Sequence, residues 1–310
     1  MSFDKKRIAL EQMSKLLNSF QDYLQLEKNY STHTLKAYLK DLEAFSQYCI
    51  EEFEIADISE VHYVQIRSWI VALVDQGISN NSINRKIASL KAYYKFLLKI
   101  KQIDVNPLAK HKALKTPKKV QVPFSKQEMN VIDVSFFSDD FSGLRDRLII
   151  ELLYGTGMRR AELVNLTLND IDQSNRRLKV LGKRNKERFI PMLESLIILI
   201  DNYLSKRNEI STTNSGNYLL LTNKGLKLYD TLVYRVINTY FSKASTKAKK
   251  SPHILRHTFA THMLNQGADL NAVKELLGHA SLASTQVYTH NSMEELKKTY
   301  FASHPRNKKG

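Results

Sequence analysis

The stretch from Lys99 to Lys119 sets the strongest limit on what this chain can fold into. It holds Pro107, Pro117 and seven lysines (99, 101, 110, 112, 115, 118 and 119) against one acid, Asp104. Proline ends helices and biases the residue before it toward extended backbone, and like charges keep a segment open. One continuous core cannot run through such a stretch, so the 310 residues divide in two, as their number alone favours. The expected division is an N-terminal domain over 1–106, a basic linker over 107–123 and a C-terminal domain over 124–310.

The N-terminal part reads as four helices. Leu10, Met13, Leu16, Leu17, Phe20 and Leu24 recur at helical spacing, as one buried face requires. Ser31 or Thr32 caps a second helix, with Leu35, Tyr38, Leu42 and Phe45 on one face. Ser59 opens a third through Trp69, Ile70 and Leu73, ending near Gly77. Ser79 or Asn80 opens a fourth, apolar at Ile83, Ile87, Leu90, Tyr93 or Tyr94 and Leu97, and basic opposite at Arg85, Lys86, Lys91 and Lys95. That basic side is either a solvated face or a contact for a polyanion.

After Pro123, the capping box Ser125-Lys126-Gln127-Glu128 starts the second domain. A helix over Leu144 to Tyr154 stops at Gly155-Thr156-Gly157. From Arg176 to Pro191 the pattern changes: Leu178, Val180, Phe189 and Ile190 flank the polar turn Gly182-Lys183-Arg184-Asn185-Lys186, as in a β-hairpin. Helices resume over Leu193–Arg207, Tyr229–Ser245 and Leu255–Asn265. After Gly267 and a capping Asp269 comes another, over Asn271–Leu277. From Ser292 the chain has a short amphipathic turn or two, where Met293, Leu296 and Tyr300 form an apolar face, then a basic tail.

Composition narrows the function. Forty-seven Lys and Arg against 31 Asp and Glu give a net charge of +16, which favours a polyanionic partner. A membrane surface would call for one strongly basic amphipathic helix, whereas the charge is spread along the whole chain. No apolar run approaches the ~20 residues that span a bilayer, and the first residues lead into an amphipathic pattern rather than a signal-peptide core. The single cysteine, Cys49, leaves no internal disulfide. A cytoplasmic, reducing setting is expected.

The densest chemistry lies in His253-Ile254-Leu255-Arg256-His257-Thr258-Phe259-Ala260-Thr261-His262. With a helix beginning near Leu255, His253 stands just before it and Arg256 in its first turn, both able to face an anion at the positive helix end. His262 reads as an ordinary surface histidine, and His257 remains open. His253 and His257 have a zinc-helix spacing, but no Glu follows His253 and no carboxylate pair converges nearby. Gly278-His279 closes the next short helix, and Tyr288 follows in Gln286-Val287-Tyr288-Thr289-His290.

These blocks resemble a family. HILRHTFATHML (253–264) and LGHASLASTQVYTH (277–290) are similar to the signature of tyrosine recombinases of the lambda-integrase type, most closely the bacterial XerC/XerD branch. TGMRRAELVNL (156–166) resembles the family's first-arginine motif, and VLGKRNKERFIP (180–191) its catalytic-lysine hairpin. The chain departs at Arg184, where Gly is frequent, and at Met158 and Ala161, where Leu and Ser are usual. Asn185 can adopt the left-handed turn, which keeps Lys183 rather than Lys186 as the matching lysine.

The resemblance implies a mainly α protein with a small β-hairpin or sheet in its C-terminal domain, the two domains forming a C-shaped DNA clamp. It also implies a helical, SAM-like core-binding domain at the N-terminus and a catalytic domain at the C-terminus. Tyr288 would be the nucleophile, forming a 3′-phosphotyrosine. Arg159 and Arg256 would clamp the phosphate, Lys183 would protonate the 5′ oxygen, and His253 and His279 would contact the phosphate. Glu162, one turn after Arg159, would orient it. No metal or other cofactor is implied. The expected partners are double-stranded DNA at a specific site and related protomers in a homo- or hetero-tetramer, with no membrane. In that assembly the C-terminal segment would dock into a neighbour; packing on its own domain is the alternative. Chromosome dimer resolution is the expected role, with a mobile-element integrase, transposon recombinase or DNA invertase as the alternative. A type IB topoisomerase and an architectural DNA-binding protein are the readings from other classes.

Overall fold

The structure is a computed structural model that describes residues 3–117, 121–132, 134–182, 186–247, 249–278 and 290–307. It divides into two compact units, Met1–Lys119 and Val120–Gly310.

The first unit is built on four helices: α1 (Phe3–Asp22, continued by a π-helical turn, Tyr23–Glu27), α2 (Thr32–Phe53), α3 (Tyr63–Asp75) and α4 (Asn80–Lys99). Ser31 and Ser79 cap α2 and α4 by accepting hydrogen bonds from Thr34 N and Ser82 N, satisfying amides that have no partner inside the helix. The third helix starts later than Ser59: His62 is its N-cap, while Ser59 N bonds Asp57 Oδ1 in the loop before it. Phe20, Leu42, Phe45, Ile66, Ile83, Leu90 and Tyr93 close the core, each fully buried side chain of this size contributing about 1.5–3 kcal/mol.

Much of the basic side of α4 is engaged within the unit. Buried Asp41 accepts from Arg85 at 2.6 and 2.8 Å, from Lys86 at 3.3 Å and from Ser89 at 2.8 Å. Lys91 donates to His111 O. The expected linker, 107–123, contains no helix or strand among its described residues. Its first part is nevertheless tied to α4. Asn84 exchanges two hydrogen bonds of 2.9 Å with Leu114, and Asn80 Nδ2 donates to Lys115 O. Two asparagine side chains thus satisfy backbone groups that repulsion among the lysines would otherwise leave to water.

The second unit is helical around a small sheet. Its elements are α5 (Lys126–Val131), α6 (Phe141–Thr156), α7 (Arg160–Asn165), β1 (Ile171–Asp172), β2 (Arg177–Leu181), β3 (Glu187–Pro191), α8 (Glu194–Ile210), α9 (Asp230–Ala244), α10 (Pro252–Asn265), α11 (Leu270–Leu277) and α12 (His290–Ser303). The Ser125–Glu128 capping box forms at the start of α5. From Leu148 to Thr156, α6 is apolar nearly all round and buried, so it runs through the core with α8 and α10 against it. The expected hairpin is β2–β3, with Leu178 opposite Ile190 and Val180 opposite Arg188. The two-residue β1, too short to leave a periodic pattern, completes an antiparallel sheet ordered β1-β2-β3.

The chain is therefore mainly α with a small antiparallel sheet, and among its described residues no helix is long and apolar enough to cross a membrane. The C-terminal segment is a full helix, α12, rather than a turn or two. Leu296 and Tyr300 are buried in the core of their own unit. Tyr300 Oη and His304 Nε2 both donate to Gly155 O at 2.9 Å, and Arg306 pairs with Glu151 at 2.8 Å.

Candidate active site

Two left-handed glycines and two capped helices shape the site. Helix α6 ends at Gly157, with φ of +61°, where a side chain would be strained and its Cβ would lie 2.8 Å from Leu277 Cδ2. The chain turns there, and Arg159 becomes the N-cap residue of α7. Glu162 accepts from Arg159 N at 2.7 Å and from its guanidinium at 2.8 Å. Helix α10 begins at Pro252, with Ser251 as cap, three residues before the expected start. Proline suits the first helical position because its missing N–H would be unpaired there anyway. His253 is consequently exposed in the first turn of α10, and Arg256, one turn further, points into the protein and is 7% exposed.

Helix α11 supplies the point of convergence. Asp269 caps its start through Asn271 N and Ala272 N, and Gly278 ends it at φ +62°. Its last carbonyls have no helical partner and attract cations. Three consecutive ones each take a different arginine: Leu276 O from Arg188 Nε at 2.8 Å, Leu277 O from Arg256 at 2.7 Å, and Gly278 O from Arg159 at 3.3 Å. Arg256 also donates to Gly157 O at 2.6 Å. Arg188 forms a fork with Glu162 at 3.0 and 2.8 Å.

Arg159 and Arg188 thus share the Glu162 carboxylate, while Arg256, held by two backbone carbonyls, feels the charge of all three, leaving two positive charges in excess among the described residues. Burial, with Arg159 and Arg188 adding to it and Glu162 opposing, brings Arg256 down to about 10. Burial pushes the Glu162 carboxyl up, but the hydrogen bonds and charge of Arg188 and the bonds from Arg159 outweigh it, so Glu162 lies below the ordinary carboxylate range. Arg159, about a third exposed, opens the cluster to solvent.

Of the sequence-predicted residues, Arg159, Glu162 and Arg256 are brought together. His253 lies one turn before Arg256, on the same face of α10. Lys183, His279 and Tyr288 lie outside the described residues. The β2–β3 pairing extends as far as Gly182 N donating to Lys186 O. His262 is not a surface residue: it is 5% exposed and bonds Tyr154 Oη at 2.8 Å, a core histidine with a satisfied partner. His257 is exposed. Among the described residues no three His, Cys, Asp or Glu side chains gather where they could hold a metal ion.

Arg188 is a site residue that no motif marks. Its signal was there: it shares strand parity with Ile190, so it occupies an inward position, and it is 4% exposed. A charge at such a position requires a buried partner, here Glu162.

A helical domain that concentrates guanidinium groups around one buried carboxylate suits a phosphate diester. The chain belongs to the phage integrase family, which it matches over residues 133–295, with that family's N-terminal SAM-like domain over 17–101. It is a site-specific tyrosine recombinase, an enzyme that breaks and rejoins DNA. It is 39% identical to tyrosine recombinase XerC of Staphylococcus haemolyticus, over 96% of this chain and 99% of that protein. It is also 39% identical to XerC of Listeria innocua, over 96% and 100%. In fold it is similar to the XerH site-specific recombinase bound to palindromic difH substrate (TM-score 0.67, 21% identity, 93% of this chain and 83% of that one). The Tn1549 transposon integrase with circular intermediate DNA is similar too (TM-score 0.64, 23% identity, 90% and 98%).

Proposed function

We propose that this chain exchanges DNA strands at a specific chromosomal site, resolving chromosome dimers, with Tyr288 as its nucleophile. The observation that carries the reading is the arginine pair: Arg159 and Arg256 bond adjacent carbonyls, beside a single carboxylate shared with Arg188. Like charges held this close favour an anion, and the guanidinium plane suits two phosphate oxygens at once.

In the reaction, the Tyr288 oxygen attacks phosphorus. A new P–O bond to tyrosine forms as the bond to the 5′ oxygen breaks, and that oxygen leaves with a proton from Lys183. Negative charge gathers on the non-bridging oxygens in the transition state, where preorganised cations act most strongly. Arg159, Arg256, His253 and His279 serve that charge. A free phenol has a pKa of about 10; its proton passes to His253 as the P–O bond forms, and the surrounding cations favour the ionised oxygen. The bond energy stays in the phosphotyrosine, so a second 5′ hydroxyl reverses the step without a nucleotide. The N-terminal unit binds the core of the site, and four protomers, identical or of two related kinds, assemble on two duplexes. The net charge of +16 supports the extended phosphate contact this requires.

The test begins in cells, by recovering and sequencing DNA covalently attached to the protein. A nicked suicide duplex with the recovered sequence should form an adduct with the wild-type protein. Tyr288→Phe should bind that duplex in a mobility-shift assay without becoming attached. No adduct from the wild-type protein, or an adduct from the variant, refutes the proposal.

A further inference from the structure

We propose that Arg188 is a positioning residue for strand cleavage, one side chain that sets three separate parts of the active site in register. The inference rests on the recombinase reading above. Arg188 stands on β3, the strand that follows Lys183 in the chain. Its guanidinium reaches Glu162 on α7 through two bonds, 3.0 and 2.8 Å, and Leu276 O at the end of α11 through a third, 2.8 Å. The hairpin that carries Lys183, the carboxylate that orients Arg159, and the helix end that precedes His279 are therefore tied by one group.

The geometry suits positioning rather than phosphate contact. Arg188 is 4% exposed, and its three bonds go to protein acceptors. Arg159 differs: it shares Glu162 but is partly open to solvent. The carboxylate therefore stands between an inner arginine that holds it and an outer one that it holds. Space is reserved for this arrangement. A Cβ on Gly278 would come within 3.1 Å of Arg188 Cδ and 3.2 Å of Nη1, so any side chain there would push the guanidinium by a few tenths of an ångström.

Lysine cannot replace this link, because one ammonium on a flexible stem does not span two carboxylate oxygens and a carbonyl in a fixed plane. Removing Arg188 leaves Glu162 buried with only Arg159 to hold it. Arg159 then loses its fixed backstop while keeping its charge, and DNA affinity, carried by many dispersed cations, changes little. The loss falls on the cleavage rate, since displacement of a reacting group by about 1 Å costs on the order of 100-fold.

The experiment compares wild type, Arg188→Met, Glu162→Gln and the double variant, using the suicide duplex recovered with the wild-type protein. Arg188→Met should cleave on the order of 100-fold more slowly at saturating DNA, with Kd within about threefold, the pattern of an interaction needed in the transition state. The double variant removes charge from both partners, so it should regain a melting temperature near wild type. It should still cleave about as slowly as either single variant, because residues acting through one another are not additive. A double variant that folds and cleaves within about threefold of wild type overturns the proposal. So does loss of cooperative unfolding in both Arg188 variants, which assigns the residue to the fold alone. A wild-type protein that forms no adduct refutes the recombinase reading instead, and the two failures are thereby distinct.

Discussion

Acid should loosen the C-terminal segment through one histidine. His304 is 1% exposed, donates from Nε2 to Gly155 O and accepts at Nδ1 from Arg306 N at 3.0 Å. Both ring nitrogens are thus committed to the neutral form. Burial, reinforced by Arg306 and opposed by the bond to Gly155, lowers the imidazole from 6.5 to about 4. The unfolded chain therefore takes up this proton first. The stability gained by keeping His304 neutral is fully present above pH 6.5 and is lost as pH falls toward 4. At about 1.4 kcal/mol per pH unit, going from about pH 7.5 to about pH 4.5 withdraws roughly 2.5 kcal/mol through this one group. For a unit of this size that is a fall in Tm of roughly 5–10 °C.

His304→Gln supplies a polar side chain that does not titrate, so the difference in pH slope between wild type and variant isolates the histidine. Buried His262, also lowered, with burial the largest cause, titrates in both proteins and cancels. Calorimetry, with hydrogen exchange of the α12 amides, is the assay of choice. The only tryptophan, Trp69, lies in the other unit and its fluorescence would report the wrong transition. Parallel loss of stability in the two proteins across this pH range refutes the reasoning.

Two further predictions concern the arginine cluster and the N-terminal unit. Arg256→Lys cannot serve both Gly157 O and Leu277 O, so one charge-assisted bond, about 1.5–3 kcal/mol, should be lost. Calorimetry should show a Tm lower by several degrees, and suicide-substrate cleavage should slow roughly 100- to 1000-fold; an unchanged Tm would mean those carbonyl bonds contribute nothing. Asp41→Ala removes the acceptor shared by Arg85, Lys86 and Ser89. Since Arg85 is half-exposed and can turn to water, the cost should be about 1.5–3 kcal/mol, less than for a fully enclosed ion pair. Trp69 fluorescence in urea reads this unit directly, and an unmoved midpoint would contradict the assignment.

Local signals proved legible. Ser31, Ser79, Ser125 and Asp269 announce helix starts because a cap is a bond between residues two or three apart, and Gly157 and Gly278 announce helix ends because a left-handed residue is a property of one position. The β2–β3 pairing is readable for the same reason, from apolar residues alternating on either side of one polar turn. Helix α10 starts three residues before its apolar pattern does, because Pro252 fits the first helical position.

What sequence could not supply is the set of partners chosen across the fold. Arg159 meets Gly278 at a separation of 119 residues and Arg256 meets Gly157 at 99. The acceptors in both contacts are backbone carbonyls, which every residue carries alike, so no residue type marks them. His262 reads as a surface group for a related reason: its neighbours on α10 do not show that Tyr154 and the core enclose it. The sequence of α12 predicts only a turn or two, since the burial of Leu296 and Tyr300 depends on the core of the second unit. Short-range bonding thus wrote the elements and the candidate chemistry into the chain, while packing between distant elements decided which charges meet and which of them remain open to solvent.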